Sequence, residues 1–248
     1  MAFSDDLAEK NRRGLDYYNK TETIEKRLDE PNKNPEDSNH SRENVIKNQK
    51  SSVKNNTFEN NRSGFVREVS HRIFAAEFKE SNLQAKEGQD QYSPSYLLTP
   101  TGAKCNRVFI VGTLTEKEDV GTDAEFWRGR IVDPTGAFFV NAGQYQPEAA
   151  QVLAKTTPPE FIAVIGKPTT YTTKEGNVLT SIRAESMQIV DAATRDRWVV
   201  ECAKLTMARL EKLKGSEPDA VKAREHYSTD VEGYRAMVQQ ALESVRAR

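Results

Sequence analysis

Between Arg107 and Asp191 the chain carries five β-rich stretches, and its one short helical stretch falls between the third and the fourth. RVFIVGTLTEKE is dense in β-branched and apolar residues and contains Gly112. EFWRGRIVD, AFFVNA, EFIAVIGKPTTYT and NVLTSIRAESMQIVD follow, each with the composition of a strand. The second and third meet at DPTG, with Pro at the second turn position and Gly at the fourth, so they form a tight hairpin around a type I turn. Lys174-Glu175-Gly176-Asn177 turns the fourth back on the fifth. Between them QPEAAQVLAK reads as a helix, with Pro147 early enough that its missing N–H does no harm.

The order β-β-β-α-β-β is the connectivity of the five-stranded OB barrel, the oligonucleotide-binding fold. An SH3-like barrel has no helix at that point. Gly112 inside the first strand suits a small barrel that must bend sharply. The fold class expected is mainly β: a five-stranded OB barrel over 105–191, a lead-in segment before it and α-helices after it.

Residues 1–62 differ in texture. They hold 12 basic and 12 acidic residues, with isolated apolar side chains such as Ile46, Val53 and Phe58. Apolar residues at that density cannot offset the entropy of ordering, so a disordered tail is expected. From residue 63 to 104 a lead-in begins with FVREVSHRIFAAEF, where Val66, Val69, Ile73 and Ala76 fall at helical spacing. Gln84 to Asp90 is polar and loop-like, and SPSYLLTPTGAKCN leads to the first barrel strand.

Over 192–248 the period becomes helical. TRDRWVVECAKLTMARLEKLKG puts Trp198, Cys202, Leu205 and Arg209 on one stripe ending at Gly215. In STDVEGYRAMVQQALESV, Asp230 marks a helix start, and Val231, Tyr234, Val238, Leu242 and Val245 recur at spacings of three and four. A small barrel that keeps one polar side has limited outer apolar surface to cover both stripes. At least one is therefore expected to meet another chain, which makes Trp198, Cys202, Leu205, Val231, Tyr234, Val238 and Leu242 candidate subunit-interface residues.

Other chemistries lack support. Cys105 and Cys202 stand far apart without CxxC or histidine partners, so zinc ribbons and disulfide frameworks are excluded, and two reduced thiols are expected. His40, His71 and His226 are scattered, no nucleotide-binding glycine motif occurs, and the carboxylates show no metal-ligand spacing. No enzyme activity, cofactor or metal is expected. The N-terminus lacks the apolar run of a signal peptide and no stretch approaches a membrane span, so a soluble cytoplasmic protein without membrane contact is expected.

NRVFIVGTLTE, RIVDPTGAFFVNAGQYQPE, FIAVIGKPTTY and ESMQIVDAATRDRW, with VREVSHRIFAAEF before and YSTDVEGYRAMVQQALES after, resemble the archaeal replication-protein-A-associated proteins. The OB fold of that family is similar to that of the middle subunit of replication protein A. The resemblance covers roughly Phe65 to Val245, with the glycine- and proline-punctuated segment 133–147 its most specific part, and leaves out the first 62 residues. It implies membership in a single-stranded DNA-binding complex for replication and repair, in association with a larger replication protein A subunit. By position it implies that Asp191 to Lys214 joins a helical bundle between subunits.

Binding a single strand without sequence preference needs aromatic faces for bases and cations along the phosphates. If Trp127, Ile131, Phe138, Val140, Thr180 and Ile182 point into the barrel, alternation puts Phe126, Arg128, Arg130, Phe139 and Arg183 outside. Lys167, Tyr171 and Lys174 lie along or at the tip of the closing hairpin. Phe126, Phe139 and Tyr171 are the candidates to stack bases; Arg128, Arg130, Lys167, Lys174 and Arg183 are the candidates to neutralise phosphates. Residues 105–191 nevertheless hold 8 basic and 11 acidic residues. Glu116, Glu118, Asp119, Asp123 and Glu125 are expected in the first inter-strand loop, where they would repel phosphates. A scaffold subunit that assembles a complex while its own groove stays empty is therefore the alternative, and an RNA ligand is a further one.

Overall fold

The computed structural model describes residues 68–86 and 94–246; the tail 1–62 and Val66 lie outside them. In chain order the elements are α1 (Ala75–Glu80), β1 (Leu83–Lys86), β2 (Ser95–Leu98), β3 (Lys104–Cys105), β4 (Val108–Asp119), β5 (Trp127–Asp133) and β6 (Gly136–Ala142). Then come α2 (Pro147–Lys155), β7 (Glu160–Thr172), β8 (Val178–Ile189), α3 (Ala192–Lys212), α4 (Pro218–Tyr227) and α5 (Val231–Arg246).

Five strands close a barrel in the order β4-β5-β6-β8-β7. Every pair is antiparallel except β6 with β8, which run parallel at Val140↔Ile182 and Asn141↔Arg183. A helix between the third and fourth strands and a parallel closure between the third and fifth define the OB fold. Inward positions alternate as period two requires: Ile110, Leu114, Ile131, Phe138, Val140, Ile162, Val164 and Ile182 are all buried. Gly112 is where β4 crosses β5 at close quarters. A Cβ there would sit 2.5 Å from the Val132 carbonyl oxygen, so only glycine fits.

Both ends of the barrel are plugged. At the end near Trp127, Leu153 of α2 rests on Gly129 beside Leu114, and a Cβ at Gly129 would stand 3.0 Å from Leu153 Cδ2. At the other end, α1 sets Phe78 against Phe138 with ring centroids 5.7 Å apart. The Asp133 carboxylate of the β5–β6 turn holds α1 in place. Its Oδ2 accepts the Ala75 N–H at 2.8 Å, while Oδ1 accepts the N–H groups of Thr135 and Gly136. Burial pushes its pKa up, against the pull of those hydrogen bonds.

The β4–β7 side is covered by α3. Trp198 donates from Nε1 to the Phe109 carbonyl at 3.0 Å and meets Phe74 edge-on at 5.8 Å. Val199, Cys202, Ala203, Val238 and Ala241 join the same core as the barrel interior. Asp191 caps α3 by accepting the Thr194 N–H at 2.8 Å, and Asp230 accepts the Gly233 N–H at the start of α5. A second cluster joins Leu98 to Leu213, Ala220 and Ala223, so α4 packs on the small β1–β2–β3 sheet. Tyr227 fastens this sheet, accepting from the Asn82 and Leu83 N–H groups and donating to the Leu98 carbonyl.

Four expectations are corrected. The stretch FVREVSHRIFAAEF is not one amphipathic helix: the described part is extended up to Phe74, because His71 bridges β4 through His71 N to Arg107 O and Phe109 N to His71 O, both at 2.8 Å. Helix begins only at Ala75, and Val69, expected on the packed face, is 84% exposed. Of the expected loop Gln84–Asp90, the first three residues belong to β1. The C-terminal region forms three helices instead of two, with α4 between the expected pair. Arg209, read on an apolar stripe, is an ion-pair partner: its guanidinium lies 2.9 Å from Glu77, whose side chain has no exposed surface. Arg209 also donates to Thr101, Thr206 and the Arg72 carbonyl, and Thr101 donates to Glu77, so the buried charges are hydrogen-bonded.

The candidate interface residues are also placed differently from the expectation. Trp198, Cys202, Tyr234 and Val238 are buried, and Leu242 packs on the main core. Val231 packs on the second cluster. These side chains cover the barrel and its lead-in sheet, because the segment ahead of β4 supplies apolar surface that the strand pattern hid: Ile73, Phe74 and Phe78. Of the seven, only Leu205 stands exposed, at 41%.

Candidate functional site

One side of the barrel, the outer face of β5, β6 and β8, carries a row of polar side chains set by the ladder. Glu118 faces Arg128, Arg128 faces Asn141, Asn141 faces Arg183 and Arg183 faces Lys167, one residue from each strand in turn. Strands lie about 4.8 Å apart, so three cations and an amide span four strands over roughly 15 Å. Lys167 and Arg183 are exposed and directly opposite each other. Among the described residues no carboxylate lies within ion-pair distance of either. Like charges placed this way cost stability.

The next row holds Glu116, Arg130 and Phe139. Arg130 is partly occupied. Its Nη1 donates to Thr115 Oγ1 at 3.1 Å and lies 3.3 Å from Glu116. Phe139 is half-buried on the same outer side, while its neighbours Phe138 and Val140 point inward, as alternation requires. Phe126 lies one step beyond the Trp127–Ala142 rung and rests against Gly143, where a Cβ would meet its Cδ2 at 2.7 Å. It extends the face toward a shallow cleft of about 480 Å³ between Glu125, Gln144, Pro147, Gln151 and Lys155.

The structure thus brings Arg128, Arg130, Phe139, Lys167 and Arg183 together, with Phe126 at one margin. Tyr171 and Lys174 stand apart. Tyr171 pairs with Leu179 four residues beyond Lys167, roughly 13 Å farther along the β7–β8 arm. Lys174 sits in the exposed turn at its tip, built by Thr173 hydroxyl contacts to the Glu175 and Asn177 N–H groups and by Gly176 at φ +86°.

The acidic residues are also placed differently. Glu116, Glu118 and Asp119 belong to β4 itself, and only Asp123 and Glu125 lie in the loop. A β-bulge between Leu114 and Glu116 sets which way Glu116 and Glu118 face. The extra residue, Thr115, reverses the inside–outside alternation of the strand end. Lys117 therefore turns inward, donating to the Leu153 and Ala154 carbonyls at the C-terminal end of α2 and sitting 5.1 Å over the Trp127 ring. Glu116 and Glu118 turn outward beside the arginines. Nothing in the residue pattern TLTEKED announces that reversal. Asn141, an amide between two arginines, is not among the candidate site residues; alternation puts it outside, and the parallel β6–β8 register sets it opposite Arg183.

Two further results narrow the chemistry. Burial raises the pKa of both thiols, Cys105 and Cys202, so they sit protonated in the core. Among the described residues no group of three metal-ligating side chains occurs, and no helix is long and apolar enough to cross a membrane.

No family model and no curated protein matches the chain. Among solved structures it is similar to the second single-stranded DNA-binding protein of Mycobacterium smegmatis, with 15% identity over 36% of this chain and 89% of that one, at a TM-score of 0.31. It is also similar to a mitochondrial single-stranded DNA-binding protein of S. cerevisiae, with 14% identity over 35% and 94% and a TM-score of 0.28. An Entamoeba histolytica asparaginyl-tRNA synthetase aligns at 11% identity over 34% of this chain and 20% of that one, with the same TM-score of 0.28. The chain's own strand order and register define its class: an OB-fold barrel with helical appendages.

Proposed function

We propose that this chain binds single-stranded DNA on the outer β5–β6–β8 face, as a subunit of an archaeal-type replication protein A complex in DNA replication and repair. The row Arg128–Asn141–Arg183–Lys167 carries the reading. Cations from three strands line up across one face, with Phe139 beside them, and two of them face each other with no carboxylate partner among the described residues. Such a row suits a polyanion with unpaired bases: phosphates meet the cations and a base stacks on the ring. The membership of a larger complex rests on the sequence resemblance alone. Because the apolar stripes of α3 and α5 are buried in this chain, a larger subunit docking on α3 would meet Leu205 and its outward neighbours.

A second reading, a scaffold whose barrel leaves DNA to its partner, draws on Glu116 and Glu118 beside the arginines. The test is the affinity of the full chain for a labelled oligothymidine across a salt series. With Arg128→Ala and Arg183→Ala together, the log–log salt slope should flatten by about 1.4, two contacts at roughly 0.7 each. An unchanged affinity and slope in a folded variant favours the scaffold. Competition by a matched oligouridine decides between DNA and RNA.

A further inference from the structure

Glu116 and Glu118 occupy an unusual place for a face of this kind. They stand directly opposite Arg130 and Arg128 on the neighbouring strand, pointing to the same side. One of the pairs is closed, with Arg130 Nη1 at 3.3 Å from Glu116 Oε1. Both carboxylates are exposed, so neither is there for packing. Surface pairs of this type contribute little to stability. The chain nevertheless reaches the arrangement through a bulge at Thr115, without which Lys117 would face outward and the glutamates inward.

We infer that Glu116 and Glu118 are specificity determinants that make the face prefer single strands over other polyanions, an inference resting on the reading just proposed. Each carboxylate competes with a phosphate for its arginine and repels the phosphates on either side. A ligand held by phosphates alone suffers most. A duplex hides its bases and carries phosphates more densely, so its non-specific binding is nearly all electrostatic. A single strand retains stacking on an aromatic ring, which a carboxylate at the arginine leaves untouched. The acidic strand end therefore lowers affinity for every anion but lowers it least for a strand with unstacked bases. At the opposite margin the register partners are two cations, Lys167 and Arg183, with no carboxylate in ion-pair distance among the described residues. The phosphates of a bound strand are accordingly drawn toward β7 and β8, and its bases fall over β6.

The experiment compares the full chain with the variant E116Q/E118Q, and with E225Q/E243Q, which removes the same charge from exposed positions on α4 and α5. The probes are an oligothymidine, a duplex of equal length and heparin, over a salt series. In E116Q/E118Q, affinity for duplex and heparin at low salt should rise about tenfold or more. The rise for oligothymidine should be several times smaller, and its salt slope should steepen by up to about 1.4. E225Q/E243Q should change none of these ratios. Equal gains for all three probes would overturn the inference, since the carboxylates would then repel without selecting. No change in any probe would overturn it too, while leaving the proposed binding face standing if wild type still binds oligothymidine through Arg128 and Arg183. If neither wild type nor variant binds oligothymidine at low salt, both the inference and the function it rests on fall.

Discussion

The two sides of this barrel solve opposite problems with similar strands. On the β4–β7 side, Val111 is fully buried under α3, and Trp198, Cys202 and Val238 are buried in the same core. The buried Glu77–Arg209 pair there is hydrogen-bonded within the chain, with Thr101 and Thr206 completing it. On the β5–β6–β8 side the strands meet α1 and α2 at the two plugged ends of the barrel. Side chains are half-buried or exposed, like charges face each other at Lys167 and Arg183, and Arg128 and Arg130 face carboxylates across the ladder. A side arranged for stability satisfies its groups internally; a side arranged for a ligand leaves charge to be satisfied from outside. Changes on the covered side should therefore move stability, and changes on the open side should move binding.

The largest effect should come from ending the chain after Asp191. Removing α3–α5 uncovers Val111 and Phe74 and leaves Glu77 buried without its arginine. Circular dichroism and amide spectra should show loss of the cooperative fold; a folded, cooperative remnant would mean that the barrel is stable without the helices. Next is Arg209→Ala, which strands the Glu77 carboxylate and should cost about 3–5 kcal/mol by chemical denaturation. Adding Glu77→Gln to it should recover part of that loss.

Smaller, and opposite in sign, is Lys167→Glu. It turns the like-charge pair with Arg183 into an attractive one, so stability should rise by about 0.2–1 kcal/mol while oligothymidine affinity falls. A variant that loses stability, or keeps its affinity, would blur the distinction between the sides. Smallest is the pH effect of His71. Burial, helped by the charge of Arg209, holds its pKa below the usual 6.5, while Glu68 and Glu77 pull it upward. A depressed pKa means the unfolded chain takes the proton first, so the stability due to neutral His71 is present above about 6.5 and is lost as pH falls below it. His71→Gln should flatten the stability profile below about pH 6.5.

Where local pattern decided the structure, it was legible in the residues. The five strands, the α2 start at Pro147, the turns at 133–136 and 174–177 and the inward set Ile131, Phe138, Val140 and Ile182 all follow from period two and turn chemistry. The segment ahead of the barrel was illegible because its conformation is set by a distant strand. His71 bridges Val108, and Asp133 caps Ala75 from 58 residues away. The fate of the C-terminal stripes hung on the same segment, since Phe74 meets Trp198 edge-on in the core that they cover. At the candidate site, alternation put Arg128, Arg130, Phe139 and Arg183 outside, while the row with Lys167 comes from the strand register. Its acidic border was not legible, because a single bulged residue reverses alternation without altering composition.

The most direct measurement is photo-cross-linking of a bromodeoxyuridine-containing single strand to the full chain, followed by peptide mapping. Cross-links should fall on β6 around Phe139, with weaker ones at Phe126 and Tyr171, and should disappear in the Arg128→Ala/Arg183→Ala variant while thermal unfolding stays cooperative. Cross-links confined to α3–α5 or the β1–β2–β3 sheet, with none on β5, β6 or β8, would contradict the assignment of the open face as the single-strand surface.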